Sequence, residues 1–282
     1  MMISDWRGQR MIVASSHEKD RVIAPLFLEH LGIQCEVLQS FNSDQFGTFS
    51  GEVERKGNSL ETARLKCERA IEMSGLSMAI ASEGSFGPHP IIGFVPVDEE
   101  LIFFFDRKNM IEASFREISL KTNYGFTETT NWEDVKAFAE KSMFPSHALI
   151  VSSSESGEPY FVKGIQSWDL LRTTFDDLNN QGSAVKIQTD MRAMFNPTRM
   201  QVIEAAVLGL VNQLKTCCDG CGYPNFHIKE VKRGLPCASC GFPTQSVLSY
   251  VFRCESCEFT KENLFPKGKS VEDAMYCDCC NP

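Results

Sequence analysis

The sequence predicts an α/β protein in which a mixed sheet is flanked by helices and a cysteine-rich zinc module follows. Two observations lead to this fold class. Short apolar runs alternate with amphipathic helical segments through residues 1–215, an order typical of α/β sheets covered by helices. Four Cys-x-x-Cys pairs then crowd residues 216–282. We therefore expect an α/β domain over 1–215 and a double zinc-ribbon domain over 216–282.

The elements of the α/β domain follow from the spacing of its apolar residues. Consecutive apolar residues indicate buried strands, and apolar residues three or four positions apart indicate helices. Asn196 can cap the last helix, and Pro197 suits its first position. The expected elements are, in chain order, strand 11–15, helix 22–31, strand 35–38, helix 58–74, strands 77–82, 101–106 and 111–118, helix 132–141, strand 147–152, helix 168–178, strand 184–188 and helix 197–214.

The cysteine pairs supply ligands for two closed zinc sites. Structural zinc takes four ligands in a tetrahedron, and a two-residue gap lets one tight turn direct two thiolates at one ion. A disulfide framework is disfavoured because no secretory signal precedes the pairs and disulfides are rare in reducing cytosol. The eight expected ligands are Cys218, Cys221, Cys237, Cys240, Cys254, Cys257, Cys277 and Cys280.

The pairing of the four knuckles is less strongly determined. The segment GFPTQSVLSYVFR separates Cys240 from Cys254 and suits a short β-hairpin between two knuckles. We therefore expect the two inner pairs to share one ion and the two outer pairs the other, with sequential and cross-brace pairings left open. Cys217 and Cys279 stand beside ligands as spare thiols that can substitute for them.

Charge and hydropathy exclude some classes of protein. The formal charge is −9, with 37 acidic and 28 basic residues, which argues against a general binder of the phosphate backbone. No apolar run approaches the length of a membrane span. We expect a cytoplasmic protein that does not enter the membrane.

Three segments of the α/β domain carry a resemblance when they are read in order. They are IVASSHEKDRVI, NSLETARLKCERA and AIASEGSFG. Together they resemble the inosine/xanthosine triphosphate pyrophosphatases, and most closely the non-canonical purine NTP phosphatase branch. The resemblance implies a pyrophosphatase-like fold in which Glu61 and Lys66 belong to the helix motif and Glu83 to the strand after it. The chain departs from that superfamily at His17, where asparagine is usual, and at Asp20, where lysine is usual.

The resemblance implies magnesium chemistry. A nucleoside triphosphate brings several negative charges, and Mg²⁺ binds carboxylate oxygens while it keeps waters, one of which can attack phosphorus. Glu61 at the start of a helix and Glu83 at the C-terminal end of a strand are expected to converge at the sheet edge. We assign both as catalytic residues that bind the metal, with Glu83 also the candidate base for the attacking water. The structural alternative for Glu61 is a carboxylate that interacts with the helix dipole or caps the helix.

Two loops are expected to contact phosphate. The residues after the first strand lead into a helix N-terminus, which is a ready anion site. The segment TDMRAMFNPTRM joins the last strand to the last helix and offers arginines suited to phosphate. The expected ligand-binding residues are Ser15, Ser16, His17, Lys19, Lys66, Arg192 and Arg199, with Asp190, Asn196, Lys121, Asn123 and His89 as weaker candidates.

One further segment, SDQFGTFSGEVER, mixes glycines, phenylalanines, hydroxyls and charges without periodicity, which favours a ligand loop or a packing corner. Its FGTFSGEVER, together with the C-terminal Cys-x-x-Cys-Asn-Pro, resembles a bacterial domain family of unknown function. That resemblance implies an architecture but no activity. The loop adds as secondary candidates Asp44, Thr48, Ser50, Glu52 and Arg55.

Two functions follow from these features. The first is a Mg²⁺-dependent nucleoside triphosphate pyrophosphohydrolase that carries a structural module with two zinc ions. The second is a non-catalytic protein that senses a nucleotide or another small phosphate ligand, while its zinc ribbons bind a protein or a nucleic acid. Glu61 and Glu83 favour the enzyme, and the altered loop at His17 favours the sensor.

Overall fold

The computed structural model of the protein describes residues 6–15, 17–38, 57–89, 91–153, 160–180 and 184–282. The chain divides into two compact units, Trp6–Leu210 and Val211–Pro282. Within the described ranges, none of the helices is long and apolar enough to cross a membrane. The described residues form five α-helices, namely α1 (Asp20–Leu31), α2 (Ser59–Ser74), α3 (Trp132–Lys141), α4 (Trp168–Asn179) and α5 (Pro197–Lys215).

The first sheet is mixed, as the sequence predicts. Its strands are β1 (Arg10–Val13), β2 (Gln34–Val37), β3 (Met78–Pro88), β4 (Pro96–Asp106) and β5 (Ile111–Ser119). The spatial order is β2-β1-β3-β4-β5, with β1 parallel to both neighbours and the rest antiparallel. The pairing of β1 with β3 ends at Val13 and Ile80, whereas β3 continues beside β4 as far as Pro88. The far half of β3 therefore extends past the carboxyl end of β1.

Helices cover both faces of this sheet. On one face, α2 packs Ala63, Cys67 and Ala70 in one apolar cluster with Ala81 and Phe103. On the other face, Phe27 of α1 stacks on Phe104 with ring centroids 6.1 Å apart. Because successive strand residues point to opposite faces, each face of the β3–β4 pair receives its own set of side chains.

A second sheet follows in the same unit, where the sequence predicted one sheet throughout. Its strands are β6 (Phe126–Thr129), β7 (Leu149–Ser153), β8 (Tyr160–Ile165) and β9 (Val185–Thr189). They are antiparallel in the order β6-β9-β7-β8. Apolar residues of α3 and α4, including Val135 and Phe175, pack with Leu149 and Ile187. Apolar periodicity identifies strands but not their partners, so it does not separate two short sheets from one long one.

The C-terminal unit contains a three-stranded antiparallel sheet. Its strands are β10 (His227–Arg233), β11 (Val247–Arg253) and β12 (Thr260–Leu264), paired in that order. The segment predicted as a hairpin thus supplies the single central strand β11. Phe226 packs near Phe252, with centroids 5.7 Å apart, and joins a small cluster with Cys218 and Cys254. So small an apolar cluster leaves much of the stabilisation to other interactions.

Candidate metal centres and a buried charged cluster

Two groups of four cysteines have the geometry of structural zinc sites. Within each group all Sγ atoms lie within 4.8 Å of one another. In the first group Cys221 Sγ lies 3.6 Å from Cys254 Sγ, and in the second Cys240 Sγ lies 3.7 Å from Cys277 Sγ. A tetrahedron with Zn–S bonds of about 2.3 Å has S···S edges of about 3.8 Å. The groups are Cys218, Cys221, Cys254 and Cys257, and Cys237, Cys240, Cys277 and Cys280.

Backbone N–H groups and tight turns also position the cysteine sulfurs and favour their thiolate form. The N–H two residues after the first cysteine of a pair points at its Sγ, at 3.3 Å for Gly220 to Cys218 and 3.4 Å for Ser239 to Cys237. Such donors stabilise a negative sulfur. After the second cysteine the chain turns with a positive φ, 74° at both Gly222 and Gly241, which glycine adopts without a steric penalty. Each turn therefore presents two sulfurs to one point.

The nested pairing expected from the sequence is wrong. The first knuckle along the chain shares a site with the third, and the second with the fourth, which is the interleaved, cross-brace arrangement. The strands explain this pairing. One extended strand separates each knuckle from the next, and seven residues span about 20 Å or more, too far for one ion. In an antiparallel sheet the chain returns to the same end after every second strand, so alternate knuckles meet.

The four remaining cysteines stand outside these groups. Cys217 and Cys279 are exposed, Cys67 is buried, and Cys35 is partly buried. All twelve cysteines lie in the described part of the chain, and none forms a disulfide there. The two groups of four clustered sulfurs fit thiolate ligands for zinc rather than the disulfide alternative.

A cluster of buried polar side chains lies where β1 ends beside β3. Lys19, the residue before α1, is 6% exposed, and its Nζ donates a 2.8 Å hydrogen bond to Ser82 Oγ. Ser15 Oγ lies 3.4 Å from the same hydroxyl. Among the described residues no carboxylate forms an ion pair with Lys19. Burial, and then the nearby Arg199 guanidinium, lower the pKa of Lys19 to about 8.

Glu83 and Glu61 both have protein partners. Lys66 Nζ lies 2.6 Å from Glu83 Oε1, and both side chains are buried. Glu61 is exposed and closes a capping box at the start of α2, where its Oε2 accepts the Asn58 N–H at 3.1 Å and its own N–H donates to Asn58 Oδ1 at 2.9 Å. Glu61 therefore caps its helix, as the structural alternative for this residue expects. A shared magnesium ion on these two carboxylates stays a prediction.

Arg199, in the first turn of α5, reaches the first sheet. Its Nε donates a 2.6 Å bond to Glu100 Oε1 of β4, its Nη1 donates to the Met191 carbonyl, and its guanidinium lies 4.9 Å from the centroid of the Phe86 ring. A Cβ at Gly84 would collide with Arg199 Nη2 and lie 2.7 Å from Glu100 Oε1. Glycine at position 84 therefore makes room for the buried ion pair.

Arg192 instead contacts a carboxylate at the end of the second sheet. Its Nη2 lies 2.6 Å from Oδ2 of Asp190, which is fully buried and also accepts the Gly164 N–H at 3.0 Å. Close by, Asn196 Nδ2 donates to Asn123 Oδ1 at 2.8 Å. Of the two arginines predicted to bind phosphate, Arg199 is the one in contact with the first sheet beside Lys19.

The other predicted loop residues fall in different places. His17 and the next residue, Glu18, both adopt left-handed backbone conformations, with φ of 67° and 59°, which is unusual for two successive residues other than glycine. Nδ1 of His89 accepts two backbone N–H groups in the β3–β4 turn, so its role there is structural. Outside the described residues lie Ser16, Asp44, Thr48, Ser50, Glu52 and Arg55.

Sequence reasoning missed three members of the cluster, namely Ser82, Asp98 and Glu100. All three are buried. Asp98 pairs with Phe86 and Glu100 with Gly84 in the β3–β4 register, so both carboxylates lie on the face that receives Arg199. A signal was present, because two acidic residues two positions apart in a strand share a face. That signal did not reveal that the face is covered.

Comparison of the sequence with known proteins and protein families identifies the family to which the chain belongs. No curated protein matches the sequence. Residues 66–282, which are more than half of the chain, match the family model described as a domain of unknown function, DUF6671. The resemblance to a family of unknown function is thereby confirmed, while the resemblance to the pyrophosphatases stays a prediction. The chain belongs to the DUF6671 family.

Proposed function

We propose that the α/β unit binds a small ligand carrying a phosphate group, with nucleotides as the leading class. The observation that carries this proposal is Lys19, a buried ammonium group that donates to a hydroxyl and has no ion pair among the described residues. Burying an unpaired charge is costly. A phosphate oxygen beside Nζ would supply the missing negative charge.

The position of Lys19 supports this proposal. It stands at the carboxyl end of β1, beside the parallel strand β3, and α/β proteins commonly bind ligands outside the carboxyl ends of parallel strands. The residues just before it, His17 and Glu18, hold strained conformations, which cluster at functional sites. An anion would also oppose the burial that lowers the pKa of Lys19. Ser15 and Ser82 would add hydroxyl donors to the same ligand.

The enzymatic form of this proposal is a nucleoside triphosphate pyrophosphohydrolase. In that form Mg²⁺ is held by Glu83 with Glu61, and Glu83 accepts the proton of the attacking water. The support is that Glu83 is buried and close enough to Lys19 to raise the pKa of that lysine. The non-catalytic form is a nucleotide sensor. The position of Glu61 in a capping box favours the sensor over that magnesium site.

In this proposal the zinc module, residues 216–282, has a structural role, and its binding partner is a protein rather than a nucleic acid. Between 216 and 282 the sequence has seven basic and eight acidic residues. Two Zn²⁺ ions bound by four thiolates each add a formal charge of about −2 per site. A surface of that sign repels a phosphate backbone. Salt-dependent binding of this module to RNA or DNA would contradict the assignment.

A nucleotide panel tests the proposal on the zinc-loaded full-length protein. Thermal shifts and pyrophosphate release are measured with and without Mg²⁺ for the wild type, Lys19→Met and the control Lys108→Met, whose lysine is exposed. We expect a shift with at least one phosphate compound in the wild type and the control, and none in Lys19→Met. Equal shifts in all three proteins would overturn the proposal.

The same panel separates the enzyme from the sensor. If the protein hydrolyses the ligand with Glu83 as base, Glu83→Gln should lower the rate by a factor on the order of 10² or more. A thermal shift without pyrophosphate release supports the sensor. Release that is equal in the wild type and in Glu83→Gln would remove Glu83 from the mechanism.

A further inference from the structure

We propose that Asp98 and Glu100 form a binding site for a divalent cation that prefers oxygen ligands, such as Mg²⁺ or Mn²⁺. Neither carboxylate was predicted as a ligand from the sequence. They lie two positions apart on β4, on the face that receives Arg199. That face belongs to the part of the β3–β4 pair that extends past the carboxyl end of β1.

Three buried oxygens of the two carboxylates have no hydrogen-bond donor in the part of the chain that the structure describes. Both residues are 0% exposed. Oδ1 and Oδ2 of Asp98 and Oε2 of Glu100 accept no hydrogen bond from the described residues. The fourth oxygen, Glu100 Oε1, is 2.6 Å from Arg199 Nε. Buried carboxylate oxygens without partners cost free energy comparable to lost hydrogen bonds, and charged groups cost more. An acidic pair of this kind requires a positive charge from elsewhere.

A proton and a cation are the two ways to supply that charge. The two carboxyl groups lie within hydrogen-bonding distance of each other, so they can share one proton. One shared proton satisfies a donor and an acceptor oxygen and leaves the other Asp98 oxygen without a partner. A hydrated Mg²⁺ or Mn²⁺ takes several oxygen ligands at once and satisfies all three.

The charges around the pair explain why a cation is compatible with its surroundings. Arg199 is committed to Glu100 Oε1, and Lys19 is a second cation close to Asp98. Lys19 requires an anion, whereas Asp98 requires a cation. A phosphate group bound to a divalent metal satisfies both at once. The role of the cation in ligand binding therefore rests on the proposed function, but cation binding itself is measurable without any nucleotide.

Mn²⁺ binding to the zinc-loaded full-length protein tests the site directly. Free Mn²⁺ is counted by electron paramagnetic resonance during a titration without nucleotide. The matched variants are Asp98→Asn, which keeps the shape, and Glu99→Gln, whose carboxylate lies on the opposite face of β4 in an ion pair with Arg116. We expect one Mn²⁺ per chain in the wild type and in Glu99→Gln, displaceable by Mg²⁺. In Asp98→Asn the affinity should fall at least about ten-fold because a charged ligand is lost.

Three results would overturn the cation site. They are the absence of Mn²⁺ binding in the wild type, full affinity in Asp98→Asn, and loss of binding in Glu61→Gln but not in Asp98→Asn. If Asp98→Asn does not fold, Mn²⁺ should still broaden the backbone amide resonances of residues 98–100 in the wild type before those of residues 59–62. The reverse order of broadening counts against the site. Failure of these tests leaves the phosphate test on Lys19 unaffected, so the two proposals fail separately.

Discussion

The zinc module and the α/β unit both gather polar side chains in buried places, but they assemble them differently. In the module each turn contributes two thiolates from within four residues, and the same turn geometry recurs at Cys218 and Cys237. In the α/β unit the cluster collects one or two residues from each of several elements. Lys19 precedes α1, Ser82 belongs to β3, and Arg199 belongs to α5.

This difference explains which features of the protein can be predicted from its sequence and which cannot. The two-residue gap in a Cys-x-x-Cys pair is a local property of the sequence, so it identifies candidate metal ligands without knowledge of the fold. The buried cluster exists only because α1, α5 and the far half of β3 pack together. The spacing of Lys19, Glu100 and Arg199 along the chain does not predict that these residues lie close to one another. The two regions also differ in what stabilises them. The module has one small apolar cluster and two cysteine groups that could hold stabilising ions, whereas the α/β unit has apolar clusters on both of its sheets.

The largest effect is expected when two knuckles are removed together. Replacement of Cys218, Cys221, Cys254 and Cys257 by serine should leave one zinc per chain, because the other four ligands remain intact. Replacement of Cys218, Cys221, Cys277 and Cys280 should leave none, because each site then keeps two thiolates. Each lost ion removes on the order of 10 kcal/mol of binding free energy. Elemental mass spectrometry gives the zinc content.

The reverse pattern, with one zinc in the second variant and none in the first, would restore the nested pairing. The fluorescence of the α/β unit supplies the control. All three tryptophans, Trp6, Trp132 and Trp168, lie in that unit. Their unfolding transition should move little in either variant if the zinc module is a separate source of stability. A large shift would mean that the two regions do not differ as we describe.

A smaller effect is expected for Gly84→Ala. The added Cβ collides with Arg199 and crowds Glu100, so the buried ion pair between α5 and β4 has to move away from β3. Overpacking and displacement of the pair should lower the free energy of unfolding by about 3 kcal/mol. Gly87→Ala is the matched control, since a Cβ there meets no atom within 4 Å. Denaturant unfolding followed by tryptophan fluorescence measures both. Equal losses would indicate a general effect of alanine in β3.

The smallest effect is expected for Lys19→Met, which should stabilise the α/β unit by about 1 to 2 kcal/mol at pH 7 without ligand. The pKa of Lys19 is about 8 in the folded state against 10.5 for the ordinary side chain. Between these values the unfolded chain holds a proton that the folded one has released, so the wild type gains stability as pH rises. The advantage of Lys19→Met should therefore be greatest below pH 8 and shrink above it. An advantage that does not depend on pH would mean that Lys19 is not a buried charge.

Much of the local structure was predictable from residue patterns. The helix expected over 132–141 is observed as Trp132–Lys141, and the helix expected over 58–74 is observed as Ser59–Ser74 with Asn58 as its cap. These features depend on neighbouring residues, which set capping hydrogen bonds and apolar stripes. Predictions that depended on which strands pair were wrong. The sequence predicted one sheet in the α/β domain, where the structure has two, and it favoured the nested pairing of the cysteine knuckles over the interleaved pairing that is observed. Asp98 and Glu100 were missed because their burial depends on Arg199 and α5, which lie about a hundred residues further along the chain.

From the amino-acid sequence alone follow the mixed sheet with its helices, the eight cysteines that form the two candidate zinc sites and the membership of a family of unknown function. These depend on spacing and composition, which do not change when the chain folds. The tertiary structure sets which knuckles form one group of four cysteines, because the antiparallel order of β10, β11 and β12 brings alternate knuckles to the same end. It also decided which charges are buried together. Lys19, Glu100 and Arg199 interact strongly only because packing removes them from water, where the same charges would be screened.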